Sequence, residues 1–457
     1  MIEQAKVRGE IAVIGLGRSG LAAAQLLARE GARVYASDAG TSATVEKNAA
    51  SLATLSIAVD AGRHDLDRIR AASLLVVSPG VPPEAAPLVA AREAGVAIVG
   101  EVEVALHALR GVRYIAVTGT NGKSTVTALI AHLLQSLGHK AVAAGNIGRA
   151  LSDVALSGER PDWIALEVSS FQLHDTPGLS PVVGVLTNLS PDHLDRYPSV
   201  EAYYADKALL FRNATAASHW VVNADDARAM EMASRAKGVC WTFSRWGKHD
   251  AGHYEQRRDA LIIMDHPVAY RESLPLLGWH NVENALAALL AVTVADVSHQ
   301  TAEARAALSE GIATFRGLPH RLEIVSEANG VRWINDSKAT NVQSAKVAIE
   351  AMTRPTIVLL GGKHKGEPYT VLAEPLAARA KLVLAYGEAE PIIAADLGGR
   401  VPLERCGSSF AQIMQRARAA AEPGDAVLLA PACSSFDMFT NYEARGEAFR
   451  QLAQSFA

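Results

Sequence analysis

The chain has 457 residues, of which 49% are hydrophobic and 20% are charged, so it can form about three domains of ordinary size and is too apolar to be disordered. Its formal net charge of -4 excludes an overall basic field that would attract nucleic acid or an anionic membrane surface. The three cysteines are far apart in sequence, which excludes a Cys-x-x-Cys zinc motif and a disulfide framework and favours a reducing cytosol. No run of about 18 uncharged apolar residues occurs, so we expect no membrane insertion.

Short β-branched or leucine-rich runs alternate with alanine-rich helical stretches along the whole chain, which predicts parallel sheets with crossover helices. The predicted strands are residues 11–14, 74–77, 114–117, 163–167, 182–187, 331–334, 357–360, 382–385 and 426–429. We therefore predict an α/β fold with three domains. These are an N-terminal Rossmann-like domain (1–102), a central domain with a mostly parallel P-loop-type sheet (103–317) and a C-terminal Rossmann-like domain (318–457). Residues 242–275 lack clear periodicity and are predicted to form a hairpin excursion in the central domain.

The first predicted strand is followed by a glycine-rich motif, Gly15-Leu-Gly17-Arg18-Ser19-Gly20, which opens an alanine- and leucine-rich helix. Glycines at this position permit a tight turn and the close approach of a diphosphate to the helix N-terminus. Asp38 ends the next strand, where a carboxylate can bind a ribose hydroxyl. The motif predicts nucleotide binding without indicating which nucleotide. The alternative is that the glycines serve only the packing of the strand on the helix.

A second loop, Thr118-Gly119-Thr120-Asn121-Gly122-Lys123-Ser124-Thr125, lies between another predicted strand and a long helix. This arrangement is typical of a phosphate-binding loop, in which backbone amides face the phosphates, the lysine supplies positive charge and the serine hydroxyl suits Mg²⁺. Val117 stands where the common form of the loop has its first glycine, so the loop is a variant. A simple dehydrogenase has no use for it, and we expect chemistry that uses ATP.

Acidic and histidine residues follow two further strands of the central domain. Glu167 ends the strand 163–167, and Asn188-Leu-Ser-Pro-Asp192-His193-Leu-Asp195 follows the strand 182–187. Parallel sheets bind ligands at the carboxyl ends of their strands, so Glu167 and His193 are candidate Mg²⁺ ligands. Mg²⁺ prefers oxygen, and the alternative for His193 is a structural role. The pattern around Lys207 alone predicts a solvated surface lysine.

Three polar loops follow strands of the C-terminal domain and should line one rim. They are Asn335-Asp336-Ser-Lys338-Ala-Thr340-Asn341, Gly361-Gly-Lys363-His-Lys365 and Pro431-Ala-Cys-Ser-Ser435-Phe436. A carboxylate there can hold a ribose, and a lysine can meet a phosphate or a substrate carboxylate. The alternative for each loop taken singly is helix capping or turn formation.

Together these motifs resemble the ATP-dependent Mur ligases of bacterial cell-wall synthesis, over nearly the whole chain. The resemblance is carried by Gly-Leu-Gly-Arg-Ser-Gly at 15–20, Thr-Gly-Thr-Asn-Gly-Lys-Ser-Thr at 118–125, Gly-Asn-Ile-Gly at 145–148, Leu-Glu-Val-Ser-Ser-Phe-Gln-Leu at 166–173, Asp-His-Leu-Asp-Arg-Tyr at 192–197, His-Asn-Val-Glu-Asn-Ala at 280–285, Leu-Pro-His-Arg-Leu-Glu at 318–323 and Asn-Asp-Ser-Lys-Ala-Thr-Asn at 335–341. Within the family, the N-terminal glycine-rich domain and residues 432–446 point to the members that add D-glutamate.

The resemblance implies a role for each domain and a set of site residues. The first domain would bind a UDP-linked substrate through Gly17, Arg18, Ser19 and Asp38, with Asn146 of the central domain near its alanyl end. ATP would be bound by Gly119, Thr120, Asn121, Gly122, Lys123, Ser124, Thr125, Asn284, Arg321 and Asp336. Glutamate would be bound by Lys338, Thr340, Lys365, Ser435, Phe436 and Tyr442. Two Mg²⁺ ions would be held by Ser124, Glu167, His193 and a carbamylated Lys207, and the catalytic residues would be Lys123, Glu167, His193 and Lys207.

The implied reaction joins D-glutamate to UDP-N-acetylmuramoyl-L-alanine. The substrate carboxylate attacks the γ-phosphate of ATP to give an acyl phosphate and ADP, and the glutamate amine then displaces phosphate. Alternatives are L-glutamate, another Mur or folylpolyglutamate-type substrate, a nicotinamide-dependent oxidoreductase, or a nucleotide-binding protein without turnover. The oxidoreductase leaves Lys123, Glu167 and His193 without a role. We expect small-molecule substrates, no nucleic-acid partner, a cytoplasmic location and a monomer.

Overall fold

The computed structural model describes residues 1–193, 196–247 and 250–456. These residues form three sheets flanked by helices, which confirms the expected α/β architecture with N-terminal, central and C-terminal domains. They divide into two compact units, one of residues 1–274 and 282–315 with the first two sheets, and one of residues 275–281 and 316–457 with the third. The domain boundaries at 102 and 317 stay predictions; residue 102 lies within a helix and residue 317 follows one.

The N-terminal domain is a five-stranded parallel sheet in the order β3-β2-β1-β4-β5. Its strands are β1 (Ile11–Ile14), β2 (Val34–Asp38), β3 (Ala58–Ala61), β4 (Leu74–Val77) and β5 (Ile98–Gly100). Its helices are α1 (Ile2–Arg8), α2 (Arg18–Arg29), α3 (Ala43–Ala53), α4 (Leu66–Arg70), α5 (Ala86–Glu93) and α6 (Glu101–Ala108). Every residue of β1 and β4 is buried, which explains their continuous apolar runs, because helices cover both faces of a parallel sheet.

The central domain is built on a nine-stranded sheet in the order β14-β13-β12-β11-β10-β9-β6-β8-β7. The strands are β6 (Arg113–Thr118), β7 (Ala141–Gly145), β8 (Trp163–Glu167), β9 (Val183–Leu186), β10 (His219–Asn223), β11 (Val239–Ser244), β12 (Gly252–Glu255), β13 (Ala260–Ile263) and β14 (His266–Tyr270). The helices are α7 (Lys123–Ser136), α8 (Leu151–Leu156), α9 (Ser170–His174), α10 (Val200–Ala208), α11 (Ala227–Ser234), α12 (His280–Ala295) and α13 (Ala302–Thr314). Strands β12 to β14 pair antiparallel with one another and extend the main sheet at its edge, where a hairpin was expected.

The C-terminal domain has a six-stranded sheet in the order β15-β16-β20-β17-β18-β19, parallel except for the β15–β16 hairpin. Its strands are β15 (Glu323–Ala328), β16 (Val331–Asn335), β17 (Thr356–Gly361), β18 (Ala380–Tyr386), β19 (Leu403–Arg405) and β20 (Ala426–Leu429). Its helices are α14 (Val342–Glu350), α15 (Ala373–Arg379), α16 (Glu390–Leu397), α17 (Phe410–Ala420) and α18 (Tyr442–Ser455). Because β16, β20 and β17 are neighbours, the loops that follow them leave the same edge of the sheet.

Helix packing explains why the first two sheets belong to one unit. Helix α8 of the central domain packs against α2 and α6 of the N-terminal domain, and one apolar cluster includes residues of both. The Arg29 guanidinium adds hydrogen bonds to the carbonyl oxygens of Ala155 and Leu156, at 2.6 and 2.9 Å. Among the helices of the described ranges, none combines the length and apolarity that a bilayer crossing requires.

Candidate active site

The loop between β6 and α7 is held in place by the segment that follows the neighbouring strand β9. The Thr120 amide donates to the Asn188 carbonyl oxygen at 2.9 Å, and the Asn121 amide donates to Asn188 Oδ1 at 2.9 Å. The Thr187 hydroxyl donates to the Asn121 carbonyl oxygen at 2.6 Å. Gly119 has φ +140°, and a Cβ there would clash with the Thr187 hydroxyl, so this position requires glycine. The loop is therefore fixed before any ligand binds.

The start of α7 carries further features of a phosphate site. Gly122 precedes the helix with φ +81° and has no side chain to cap it, so the positive end of the helix dipole faces the loop. A Cβ on Gly122 would clash with the Oδ1 atom of Asn284, which shows that α12 brings the Asn284 side chain against this loop. Asn284 thus lies beside the phosphate loop, as the proposed ATP contact requires.

Two lysines converge on one carbonyl oxygen of this loop. Lys123 Nζ donates to the carbonyl oxygens of Gly119 at 3.1 Å and Thr120 at 2.7 Å. Lys207 Nζ, from α10, donates to the same Gly119 oxygen at 2.8 Å. Lys207 is only 1% exposed, so the prediction of a solvated surface lysine is wrong. The pattern of α10 alone could not reveal this burial, because it depends on a loop that lies 88 residues earlier in the chain.

Burial changes the chemistry of this amine. Desolvation, followed by the positive charge of Lys123, lowers the pKa of Lys207 to about 7, against partial compensation by the carboxylates of Asp192 and Glu167. A large fraction of Lys207 is therefore uncharged at neutral pH. An uncharged amine is a nucleophile, whereas an ordinary ammonium group is not.

Glu167 presents a buried carboxylate oxygen at the end of β8. The residue is 1% exposed, and its Oε1 atom accepts a hydrogen bond from Asn146 Nδ2 at 2.9 Å. Within the part of the chain that the structure describes, Oε2 has no hydrogen-bond partner. A buried carboxylate oxygen without a partner is costly, and an oxygen-preferring cation such as Mg²⁺ is the kind of group that would satisfy it. The residues present therefore fit a magnesium ion at this position.

His193 lies in an aromatic cluster next to these groups. Its ring centroid is 5.3 Å from that of Phe171, which follows β8, and 6.1 Å from that of Tyr203 on α10. The Tyr203 hydroxyl is 3.3 Å from Thr120 Oγ1, and burial raises the pKa of Tyr203 to about 12, so it stays protonated. His193 is therefore on the same side of the sheet as the phosphate loop. The neighbouring Asp195 of the sequence motif lies outside the described residues.

In the N-terminal domain, one part of the glycine-rich motif is packed closely and another part is exposed. A Cβ on Gly20 would clash with the Gly15 carbonyl oxygen, so the first turn of α2 sits directly on the loop. Gly17 and Arg18 are exposed and Ser19 is half-buried. The carboxylate of Asp38 accepts the backbone amides of Leu16 and Gly40, both at 2.7 Å. It therefore fixes the geometry of this loop, a role that the sequence did not predict.

In the C-terminal domain, Asp336 and four of the residues assigned to glutamate binding make specific contacts. Asp336 Oδ1 accepts the Leu322 amide at 3.2 Å, and burial raises the pKa of Asp336 to about 7 although Arg321 opposes this. The remaining contacts pair four residues with one another: Lys338 Nζ donates to the Tyr442 hydroxyl at 3.1 Å, and Lys365 Nζ donates to Thr340 Oγ1 at 3.4 Å. Ser435 is buried, whereas Phe436 is 70% exposed. The three polar loops meet, since Lys363 and Ser434 exchange backbone hydrogen bonds at 2.9 and 3.2 Å, and the Ala432 amide donates to the Ala339 carbonyl oxygen at 2.9 Å.

Comparisons with known proteins agree with this arrangement. Three family models match the chain: "Mur ligase MurD-like, N-terminal domain" at residues 9–100, "Mur ligase middle domain" at residues 117–292 and "Mur ligase, glutamate ligase domain" at residues 320–433. Among curated relatives, a protein of Acidobacterium capsulatum named UDP-N-acetylmuramoylalanine--D-glutamate ligase is 42% identical over 97% of this chain and 95% of its own length. The chain belongs to the Mur ligase family.

A second relative supports membership of the Mur ligase family, and two solved structures are similar in fold. A relative of the same name from Myxococcus xanthus is 40% identical over 98% of both chains. The crystal structure of UDP-N-acetylmuramate-alanine ligase MurC from Thermotoga maritima is similar in fold, with a TM-score of 0.61 and 21% identity over 98% of this chain and all of that one. MurF from Acinetobacter baumannii gives a TM-score of 0.59 at 16% identity, over 84% of this chain and 85% of that one. These structures support the fold alone.

Sequence analysis of this Mur ligase missed residues that hold the site rather than touch a ligand. Asn188 pins the phosphate loop, and its position directly after a strand next to β6 was the available signal. Arg196 donates to the carbonyl oxygens of Pro79 at 3.2 Å and Val81 at 3.1 Å, and its guanidinium lies 4.1 Å from the centroid of the Phe171 ring. It thus joins the N-terminal domain to the segment after β9, a contact that no local pattern predicts.

Proposed function

We propose that this chain is an ATP-dependent amide ligase that adds D-glutamate to UDP-N-acetylmuramoyl-L-alanine in the synthesis of cell-wall precursors. The observation that carries the proposal is that Lys123 and the buried Lys207 donate to the same oxygen of a phosphate-type loop. The neighbouring strand β8 ends in Glu167, whose Oε2 atom has no hydrogen-bond partner among the described residues. The names of the relatives that align along almost the whole chain support D-glutamate as the amino acid.

ATP and Mg²⁺ would be held at the central sheet. The backbone amides at the N-terminus of α7 and the Lys123 ammonium would bind the phosphates, and Asn284 would contact the same nucleotide. Ser124, Glu167 and His193 would hold Mg²⁺, which when bound neutralises charge on the phosphoryl oxygens. From the C-terminal domain, Arg321 and Asp336 would complete the ATP site. Tyr203 and Asn188 keep the loop in one conformation, so little reorganisation is needed when ATP binds.

Lys207 would contribute as a carbamate. Its uncharged amine attacks CO₂, a C–N bond forms and one proton is released, which turns a neutral buried amine into a buried anion with two oxygen atoms. The lowered pKa favours this reaction, because the amine is already deprotonated. The added oxygens would serve a second Mg²⁺, whose positive charge would offset the neighbouring carboxylate of Glu167.

The other two substrates would occupy the outer domains. The UDP moiety would lie on the exposed Gly17, Arg18 and Ser19 beside the loop that Asp38 fixes, with Asn146 near the alanyl end. The two carboxylates of glutamate need cations and hydroxyls, which the paired Lys338 and Tyr442 and the paired Lys365 and Thr340 would supply, with Ser435 and Phe436 on the third loop.

The steps follow from these positions. Lys123 orients the γ-phosphate and stabilises its charge while the substrate carboxylate attacks it. The glutamate amine then attacks the acyl phosphate, loses a proton and expels inorganic phosphate. His193 is the candidate to accept that proton. We also propose that the protein works in the cytoplasm as a monomer, which sedimentation of the purified chain would test.

The proposal is tested by phosphate release from ATP and Mg²⁺ in the presence of UDP-N-acetylmuramoyl-L-alanine, with D-glutamate, L-glutamate or neither. We expect turnover only with D-glutamate, a loss of at least about a hundredfold in Lys123→Ala, and none in the matched control Lys140→Ala, an exposed lysine of the same domain. Turnover with L-glutamate alone would replace the D-glutamate assignment, and turnover without either amino acid would overturn the ligase proposal. A ¹³C-bicarbonate adduct that is present in the wild type and absent in Lys207→Met would support the carbamate.

A further inference from the structure

Arg445 is a completely buried arginine that the reaction described above does not use. It lies in the first turns of α18 and is 0% exposed. A buried guanidinium is strongly destabilising unless its donors are satisfied. All of its hydrogen bonds go to three segments of the C-terminal domain. These are loop A (residues 336–341), loop B (361–366) and loop C (431–436), and each follows one of the adjacent strands β16, β17 and β20.

The contacts of Arg445 are distributed over all three loops. In loop A, Nε donates to Ser337 Oγ at 3.0 Å and Nη2 to the Ser337 carbonyl oxygen at 2.9 Å. In loop B, Nη1 approaches the Gly361 carbonyl oxygen at 3.5 Å. In loop C, Nη2 donates to the Cys433 carbonyl oxygen at 3.1 Å and Nη1 to the Ser434 carbonyl oxygen at 3.3 Å. No carboxylate within the described ranges forms an ion pair with it, so the guanidinium crosslinks backbone oxygens instead of neutralising an acid.

Each of these loops also carries residues that we assign to glutamate binding. Lys338 and Thr340 are in loop A, Lys365 is in loop B, and Ser435 is in loop C. Tyr442, the first residue of α18, accepts the Ser337 hydroxyl on its carbonyl oxygen at 2.8 Å and the Lys338 ammonium on its own hydroxyl at 3.1 Å. One side chain thus sets the spacing of backbones from which four substrate-binding groups project.

We propose that Arg445 is the positioning residue for the incoming amino acid, which it serves by holding loops A, B and C in register without touching the substrate. This inference rests on the proposed function, because it takes the bound amino acid to be glutamate. A planar guanidinium with five donors can bridge three loops at once, whereas the single ammonium of lysine cannot.

Asp336, which we assign to ATP binding in the same domain, has anchors of its own besides the contacts of Arg445 with the adjacent Ser337. The Asp336 amide donates to the Leu429 carbonyl oxygen at 2.9 Å, and Asp336 Oδ1 accepts the Leu322 amide at 3.2 Å. Loss of the guanidinium should therefore affect the binding of glutamate more than the binding of ATP. This difference separates a positioning role from a general weakening of the domain.

The test compares Arg445→Met, Arg445→Lys and the control Phe449→Leu. Phe449 lies one turn after Arg445 on α18, is 0% exposed and packs on Trp333 with ring centroids 6.0 Å apart. Its truncation loosens the docking of α18 without removing a hydrogen bond to any loop. For each variant, kcat and the KM values for D-glutamate and ATP are measured with the full chain, together with thermal unfolding and amide hydrogen exchange of loops A, B and C.

We expect Arg445→Met to raise the KM for D-glutamate at least about tenfold and the KM for ATP less than about threefold. The KM of Arg445→Lys for D-glutamate should lie between those of Arg445→Met and the wild type. Phe449→Leu should lower the unfolding temperature and leave the KM for glutamate near the wild-type value. Amide exchange in all three loops should accelerate in Arg445→Met, a readout that does not depend on what the enzyme ligates.

The proposal is overturned if both Arg445 variants keep the wild-type KM for glutamate, or if Phe449→Leu raises that KM as much as they do. If Arg445→Met does not fold, Arg445→Lys decides by the same criteria. If the wild type shows no glutamate-dependent turnover while Arg445→Met still exchanges faster than the wild type in the three loops, the proposed function fails and the crosslinking role stands.

Discussion

Replacement of Lys207 by methionine should stabilise the protein at neutral and acidic pH, although it removes a buried hydrogen bond. The folded state holds the pKa of Lys207 at about 7, whereas an unperturbed lysine has 10.5. At pH values between these two, the unfolded chain binds more protons than the folded one, so Lys207 makes the free energy of unfolding increase with pH. The cost of burying the amine is present in full below pH 7 and disappears as the pH approaches 10.5.

The size of the effect follows from the two pKa values. Their difference corresponds to about 5 kcal/mol below pH 7, as an upper estimate. Loss of the hydrogen bond to Gly119 destabilises the variant by only about 1 kcal/mol, because Lys123 still donates to the same oxygen. We therefore expect the free energy of unfolding of Lys207→Met to be higher than that of the wild type by roughly 3 to 4 kcal/mol at pH 6 and by less than about 1 kcal/mol at pH 9.5.

The assay is thermal unfolding of the wild type and Lys207→Met at pH 6, 7.5 and 9.5 in buffers free of CO₂, which keeps the amine unmodified. Lys237→Met, at an exposed lysine of the same unit, should show no such dependence on pH. A Lys207→Met protein that is less stable than the wild type by the same amount at every pH would refute the reasoning, because it would mean that the amine is fully solvated or fully paired.

Three further substitutions have defined outcomes. Glu167→Gln should weaken Mg²⁺ activation at least about tenfold while changing the unfolding free energy by less than about 1 kcal/mol, since it removes the charge of the partnerless oxygen, and a Mg²⁺ titration of activity checks this. Asp336→Asn should stabilise the C-terminal domain by up to about 4 kcal/mol above pH 7 and should have no such effect below pH 4. The reason is that the raised pKa of Asp336 makes the wild type lose stability as the pH rises from about 4 to about 7. Calorimetry at both pH values decides. Gly20→Ala should lower the free energy of unfolding by more than about 3 kcal/mol, because the added methyl group would clash with the Gly15 carbonyl oxygen. Thermal unfolding followed by circular dichroism checks this, and an unchanged transition temperature would contradict the close approach of Gly20 to Gly15.

The fold was largely predictable because its strands are short apolar runs that helices cover on both faces. The runs 11–14, 74–77, 163–167 and 426–429 coincide with β1, β4, β8 and β20. The order of strands within each sheet was not predictable, since it depends on pairings between distant segments. It matters for the site, because β6 lies between β8 and β9 and so places the phosphate loop between Glu167 and Asn188.

The candidate site was predictable as a set of loops but not as a set of contacts. The rule that ligand residues follow the carboxyl ends of parallel strands located the phosphate loop, Glu167 and the three C-terminal loops. It gave no indication that both oxygens of Asp38 accept backbone amides of their own domain. A local motif shows that a carboxylate is present, whereas its hydrogen-bond partners depend on the turns around it.

Burial of charge separates the groups that position from those that react. Lys207 and Asp336 are buried with pKa values moved towards neutrality, and both lie where a ligand or a modification would change their charge. Arg445 is buried as deeply, and its contacts include the backbone oxygens of all three loops, which suits a crosslink. Glu101 limits the rule. Burial raises its pKa as well, and within the described residues its Oε2 atom has no hydrogen-bond partner, yet its Oε1 atom accepts the Ser152 amide where α6 packs on α8. Neither a shifted pKa nor an unsatisfied oxygen is therefore enough to identify a reactive group; the position of the group must point to a ligand as well, as the hydrogen bond of Lys207 to the phosphate-type loop does.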